Sequence, residues 1–294
     1  MARSNAHAAD RPEMTSISFA VLGSGSRGNA SILCCGEYRL LIDAGLSVKQ
    51  TQLRLQSLGL CITDLNGIIL THLDRDHFST GWANRQKRIP LPLYIAPGHL
   101  DAAIATGTCR RSLRMLDMTD ANSMGPISTD CITVAHDDSG CTAFIFEFEG
   151  CRLGWATDIG HVPVNLLERF IDLDAVAIES NYDRTMQLES DRPDFLKERI
   201  MGGKGHLSNC ESLEAIRTIA DGSRLQKIVL LHLSRQCNHP DCVQRLWDDQ
   251  APDLSRHVVI TNQHEPTTML HVHDADRDRI TPARPNELVD NAPS

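Results

Sequence analysis

What the chain lacks narrows the field first. No apolar run approaches the roughly 20 residues needed to cross a bilayer, so no membrane span is expected. The opening "MARSNAHAADRPEM" has no hydrophobic stretch after its arginine, so residues 1–15 read as a disordered leader, not a secretory signal. The ten cysteines contain no CxxC, which argues against zinc-ribbon and thioredoxin-like motifs. With no signal, a chain of 294 residues is not expected to need a disulfide framework, and a reducing cytoplasm is the expected compartment. Internal repeats and a Pro/Gly/Ser-rich linker are missing too. So is any excess of basic charge: 29 Lys and Arg face 38 Asp and Glu, for a net charge of −9. That argues against sequence-independent coating of nucleic acid. It leaves a nuclease open, because bound metal ions can supply positive charge at the phosphate.

Hydrophobic residues make up 41% of the chain, enough for a sizeable core. Apolar stretches recur with short polar breaks: "SISFAVLG", "EYRLLIDAG", "LNGIILTH", "LPLYIAP", "DCITVAH", "CTAFIFEFEGCRLGWATD", "DLDAVAIES" and "KIVLLHLS". Their length and β-branched content predict strands, with a turn at Glu149 and Gly150. Helices are expected over Val48–Leu58, His99–Ala105, Pro163–Phe170, Asp194–Ile200, Asn209–Ala220 and Pro240–Asp249. Strands and helices mix throughout, which predicts one α/β domain over residues 16–273. Residues 274–294 are polar and read as a disordered tail.

Chemistry concentrates in "GIILTHLDRDH". A buried-type strand runs into two histidines and two aspartates, His72, Asp74, Asp76 and His77, within six residues. Ligands at the end of a strand stand on a rigid base. One ion cannot easily take all four from so short a loop, whereas two neighbouring ions can if other segments complete their shells. Four later residues are placed to do so. His136, Asp158 and His232 each close an apolar strand, and His206 sits between a glycine-rich loop and a helix, where α/β folds gather their sites. "GSGSRGN" resembles a phosphate-cradling loop but lacks the Lys-Ser/Thr ending of a P-loop, and reads as a tight turn near the site. Ser26 and Asn29 from this turn, and Asn181, are candidate substrate contacts. "HVHDAD", His271 to Asp276, imitates a metal motif without a supporting strand, and His99 and His161 read as surface residues.

The joint pattern resembles the metallo-β-lactamase superfamily, whose motif HxHxDH is followed downstream by His, Asp and His. "VLGSGSRGNAS", "LLIDAG", "ESNYD", "LKERI", "GHLSN" and "HLSRQCN" together are similar to its YycJ (WalJ) branch of nucleases, related in architecture to tRNase Z and RNase J. The likeness runs from about Ile17 to Ile260. It implies an αββα sandwich of two mixed sheets flanked by helices, holding two divalent metal ions (zinc, manganese or iron). His72, Asp74 and His136 would hold one ion, Asp76, His77 and His232 the other, and Asp158 would bridge them. His206 would donate a proton to the leaving group, and Asp76 would serve the chemistry as well as the metal. The implied reaction is hydrolysis of nucleic acid or another phosphodiester by a hydroxide held between the two ions. A homo-oligomer is compatible with the sequence.

Two positions depart from the branch. Asp74 stands where the superfamily has its second motif histidine, giving HxDxDH, and its hard anionic oxygen tilts that site from zinc toward manganese or iron. Tyr182 stands where the branch reads "NHD", which removes a substrate-binding histidine. Two other readings compete: hydrolysis of a small ester, thioester or lactam, and a regulatory protein with a degenerate metal site.

Overall fold

Most strands are apolar on both faces, and the layering follows from that. The computed structural model describes residues 16–88, 90–108 and 110–273, so the expected leader and tail lie outside the described residues. In β1 (Ser16–Gly23), Ile17, Phe19 and Val21 enter one buried cluster while Ala20 and Leu22 enter another. Alternate residues of a strand point to opposite faces, so such a sheet must be covered on both sides.

β1 pairs antiparallel with β2 (Ala30–Cys35), and β2 with β3 (Tyr38–Ile42). The sheet continues in parallel through β4 (Gly67–Ile69), β5 (Leu93–Ile95) and β6 (Leu113–Met115). The second sheet mirrors this plan. β7 (Asn122–Met124), β8 (Ile127–Val134), β9 (Cys141–Phe148) and β10 (Cys151–Ala156) are antiparallel. β11 (Ala175–Glu179), β12 (Lys227–Leu231) and β13 (Val258–Ile260) extend it in parallel from β10. β14 (Leu270–His273) closes the first sheet beside β1, with His273 opposite Ser16.

Between the sheets, Phe19, Leu33 and Ile69 meet Phe144, Phe146 and Leu231. Phe19 and Trp155 cross the layer edge to face, with centroids 6.1 Å apart. Burying such a side chain is worth roughly 1.5–3 kcal/mol. Outside the first sheet lie α1 (Val48–Ser57), α2 (Thr80–Gln86) and α3 (Leu100–Ala105), sealed by Leu55, Trp82 and Ala103. The second half carries α4 (Val164–Arg169), α5 (Arg184–Glu189), α6 (Asp194–Met201), α7 (Asn209–Asp221), α8 (Pro240–Gln250) and α9 (Pro252–Ser255). Leu166, Ile216 and Trp247 bind α4, α7 and α8 to the second sheet. The result is the expected αββα sandwich of two mixed sheets.

The six expected helices form within a residue or two of their predicted bounds. The β9–β10 hairpin turns where the sequence places it, with Glu149 and Gly150 at φ 49° and 84°, both positive as a two-residue turn of this hand requires. β2 went unread in "ASILCC": its small residues and paired cysteines give little strand signal, and Cys34 and Cys35 are buried on opposite faces. The short α2 and α5 and the three-residue β6, β7 and β13 were also not anticipated. No described helix is long and apolar enough to cross a membrane.

Candidate metal centre

The parallel strands of both sheets end at one place. β3 runs into Asp43, β4 into the Thr71–His77 loop, β10 into Asp158 and β12 into His232, while β11 ends on Glu179. Asp43, Asp158 and His232 take φ values of 58°, 50° and 57°. Non-glycine residues seldom adopt this left-handed backbone, and here it turns each side chain off its strand end.

A cavity of about 210 Å³ opens over these strand ends. Ser26 and His206 line it, with every metal donor named from sequence except His77, which is wholly buried. Donor atoms of His72, Asp74 and His136 lie within 4.8 Å of one another, as do those of Asp76, His77 and His232. Asp158 belongs to two further groups, one with His72 and His77, the other with Glu179, His206 and His232. The seven residues spread over four loops thus converge as two adjoining donor sets with Asp158 between them.

Each of the four histidines is tethered through Nδ1. His77 Nδ1 donates to Asp43 Oδ2 at 2.8 Å. His72 Nδ1 lies 3.0 Å from the Thr71 hydroxyl, which itself lies 3.0 Å from both Asp43 oxygens. The carboxylate can only accept, so the hydroxyl donates to Asp43 and accepts from His72. His136 Nδ1 donates to the Gly205 carbonyl at 3.1 Å, and His232 Nδ1 to Asp158 Oδ1 and Glu179 Oε1 at 2.9 and 3.0 Å. Nε2 is then the nitrogen left to bind a metal, the arrangement that orients imidazole ligands in metalloproteins.

The donors fit divalent ions. His77 Nε2 and His232 Nε2 stand 3.9 and 3.7 Å from Asp76 Oδ2, and His72 Nε2 stands 3.8 Å from Asp74 Oδ2. A tetrahedral shell with bonds of about 2.1 Å separates its donors by about 3.4 Å, so small movements suffice. His232 Nε2 is buried with no hydrogen-bond partner among the described residues, a costly state unless another group completes it.

Electrostatics tell the same story. Burial and the neighbouring His77 push His72 well below the ordinary imidazole range. Burial also pulls on His77, but Asp158 and Asp43 override it and raise His77 well above that range. Burial would raise Asp158, yet His232 and His77 hold it well below the usual carboxylate range. Positive charge is thus strongly favoured at this point, and protons would compete with metal ions for it.

Glu179 is the candidate site residue that sequence reasoning missed. It is fully buried, and its Oε1 accepts from His206 Nδ1 at 2.7 Å. Its Oε2 accepts from the backbone N–H of Ile159 at 2.9 Å. The signal was present: "DLDAVAIES" is an apolar strand ending on an acid, and a buried carboxylate needs partners. His206 itself is set by its neighbours. Two residues on, Ser208 caps α7 in a capping box with Glu211. A Cβ on Gly205 would lie 2.4 Å from the carbonyls of Arg199 and Ile200, so only glycine lets His206 enter here. Burial pulls the His206 imidazole down, but Glu179 and Asp158 more than offset it and bring its pKa up to about 9.

Other candidates fare differently. Ser26 is exposed on the cavity wall. Asn29 is buried, its Nδ2 2.8 Å from His77 Nε2 and its Oδ1 accepting from Gly25 N at 2.7 Å. Asn181 donates to the His232 carbonyl at 2.7 Å. Both amides therefore brace donors of the centre. Tyr182 is buried behind Ile200, with Cys237, and does not itself line the cavity. His99, expected at the surface, is buried at the start of α3, while His161 is exposed and donates to the Gly203 carbonyl. His271 and His273 are exposed on edge strand β14, and the rest of "HVHDAD" lies outside the described residues.

Comparison with known proteins agrees with this architecture. Residues 38–233 match the beta-lactamase superfamily domain. The exodeoxyribonuclease YycJ of Bacillus anthracis is 30% identical over 226 residues, 75% of this chain and 83% of that protein. The exodeoxyribonuclease WalJ of Streptococcus pneumoniae is 31% identical over 269 residues, 90% of this chain and 96% of that protein. Among solved structures, the metallo-beta-lactamase fold protein YhfI from Bacillus subtilis aligns with a TM-score of 0.64 at 14% identity, over 86% of this chain and 99% of its own. That last likeness concerns the fold alone. A two-sheet sandwich whose strand ends converge on this His/Asp centre, matched over most of its length by YycJ and WalJ, belongs to the metallo-β-lactamase superfamily.

Proposed function

We propose that the protein is a metal-dependent phosphodiesterase acting on nucleic acid, with DNA cleaved from an end as its reaction. One observation carries the reading. His206, held 2.7 Å from the buried Glu179, lines the same cavity as residues of both donor sets. In this reading His72, Asp74 and His136 would hold one divalent ion, Asp76, His77 and His232 a second, and Asp158 would serve both. Zinc, manganese and iron all suit such donors, and the Asp74 oxygen favours the harder ions. When bound, the ions supply Lewis acidity and lower the pKa of water.

The chain's own residues do the rest. Glu179 keeps a proton on His206 Nδ1, so Nε2 carries the proton that can move. A phosphodiester expels an alkoxide, a poor leaving group, and proton delivery from His206 stabilises it as the bond breaks. Asp43, through Thr71 and directly, fixes the rings of His72 and His77. The curated relatives' names support DNA and an exonucleolytic mode. A small carbonyl substrate would have less need of a dedicated acid beside the metals.

The test is a panel of end-labelled single- and double-stranded DNA and RNA with Mn²⁺, Zn²⁺ and Mg²⁺. Shortening of DNA from one end, stopped by chelation, is the expected result. A metal-loaded protein that leaves every nucleic acid intact but opens an ester, thioester or lactam would refute the proposal.

A further inference from the structure

The geometry points to a phosphate-binding subsite beside the metal cavity, formed by Arg27 and Arg75, that holds a phosphate of the nucleic-acid strand away from the scissile bond. The subsite rests on the nuclease reading and gives it a direction across the surface. A second cavity, of about 650 Å³, adjoins the first and shares Ser26 and Asp76 with it. Its other walls include Arg27, Arg75, Gln50, Ser79 and Thr80. Asp76 is its sole acidic lining residue, and that carboxylate is turned toward His77 and His232.

Both arginines are exposed, and neither guanidinium has an ion-pair or hydrogen-bond partner among the described residues. Arg199, which lines the metal cavity, is different, because its guanidinium is already taken by Asp137. The chain is acidic overall, so it does not attract a polyanion generally. Two unpaired guanidinium groups beside the cavity of the candidate metal donors are therefore a local exception. A guanidinium presents a planar fork of donors that suits phosphate oxygens.

The two arginines are also held in a fixed relation. Arg27 belongs to the loop after β1, and Arg75 to the motif loop after β4. Asn29 N donates to the Asp76 carbonyl at 2.7 Å, and Gly45 N to the Asn29 carbonyl at 2.8 Å. A Cβ on Gly45 would collide with the Asp76 carbonyl, so these two backbones meet with no room for a side chain, and the Asn29 amide adds a side-chain contact to His77. Gln263 ties the Arg27 side down, accepting from Arg27 N and donating to the Gly28 carbonyl, both at 2.8 Å. The loop "GSGSRGN" thus serves as a rigid mount for an arginine. Little ordering of the backbone is left to be done when a strand binds.

The test is binding, measured by fluorescence anisotropy with a labelled single-stranded DNA. It uses the full-length metal-loaded protein in a His206→Ala background, so that the strand is not consumed. Arg27→Ala/Arg75→Ala should weaken binding at least about ten-fold at 0.1 M salt. The slope of log affinity against log salt should flatten by about 0.7 for each phosphate that is no longer neutralised. Arg217→Ala, on an exposed position of α7, controls for net charge and should change little. Strands ending in a 5′-phosphate or a 5′-hydroxyl separate two sources of the same chemistry. Equal weakening on both assigns an internal diester, and weakening confined to the phosphorylated strand assigns a terminal monoester. Unchanged affinity in the double variant, an equal effect in Arg217→Ala, or no binding by the parent protein would each overturn the subsite. Cleavage is not the readout, so failure of the hydrolysis panel and failure of this proposal remain distinct.

Discussion

The fully buried Glu179 and the half-buried His206, which lines the metal cavity, form a carboxylate–imidazole pair, Oε1 to Nδ1 at 2.7 Å. The carboxylate comes from β11 and the imidazole from the loop before α7, 27 residues apart in sequence. The pair determines which histidine nitrogen can give up a proton, and when.

Glu179→Gln tests that directly. The amide keeps the shape but loses the charge that supports a protonated ring. Partners of this kind are typically worth about 10- to 100-fold, and turnover should fall by that much with KM little changed. In the metal-free protein, NMR should find His206 titrating near 9, and the variant should bring it down toward the ordinary imidazole value of 6.5. Because folding raises this pKa, its contribution to metal-free stability is full below about 6.5 and lost as pH rises through about 9. A variant whose His206 titrates unchanged would show that Glu179 does not govern it.

His206→Ala should preserve metal content while lowering turnover on DNA about 10²- to 10⁴-fold. On a p-nitrophenyl phosphodiester, whose leaving group needs no proton, the loss should be much smaller. Equal losses on both substrates would instead assign His206 a positioning role.

Asp158→Ala removes the carboxylate that lies between the two donor sets. Metal analysis should show a drop in bound ions, and hydrolysis should cease. Asp158 is fully buried against His77 and His232, so the metal-free variant should also be less stable. Breaking such a pair typically costs about 3–5 kcal/mol, readable as a lower denaturation midpoint. Full activity in a metal-loaded variant would remove Asp158 from the centre.

Asp74 has the most exposed carboxylate of the motif, at 54%, yet its Oδ2 lies 3.8 Å from His72 Nε2. Asp74→His replaces a hard anionic oxygen with a borderline nitrogen, and Mn²⁺/Zn²⁺ competition should shift toward zinc. Asp74→Ala should weaken one ion selectively, since Asp76, His77 and His232 remain for the other. Identical binding by all three proteins would mean that Asp74 holds no metal.

Much of the fold was legible because burial on both faces leaves a local trace. Runs such as "AVAIE" and "KIVLL" can satisfy their side chains only inside a covered sheet, and polar residues closing those runs mark where the strands end. Residues such as His72, Asp158 and His232 were therefore readable as candidates from the chain itself, and their ordered spacing identified the superfamily. The tertiary structure alone decided what those side chains face. No local pattern brings Glu179 to His206, turns Asn181 onto the His232 backbone or buries His99, because hydrogen bonds across 27 or 51 residues depend on how two sheets stack. Nor does "GSGSRGN" announce an arginine mount. That role exists only once the backbone of Gly45 meets Asp76, a meeting of segments whose sequences carry no record of each other.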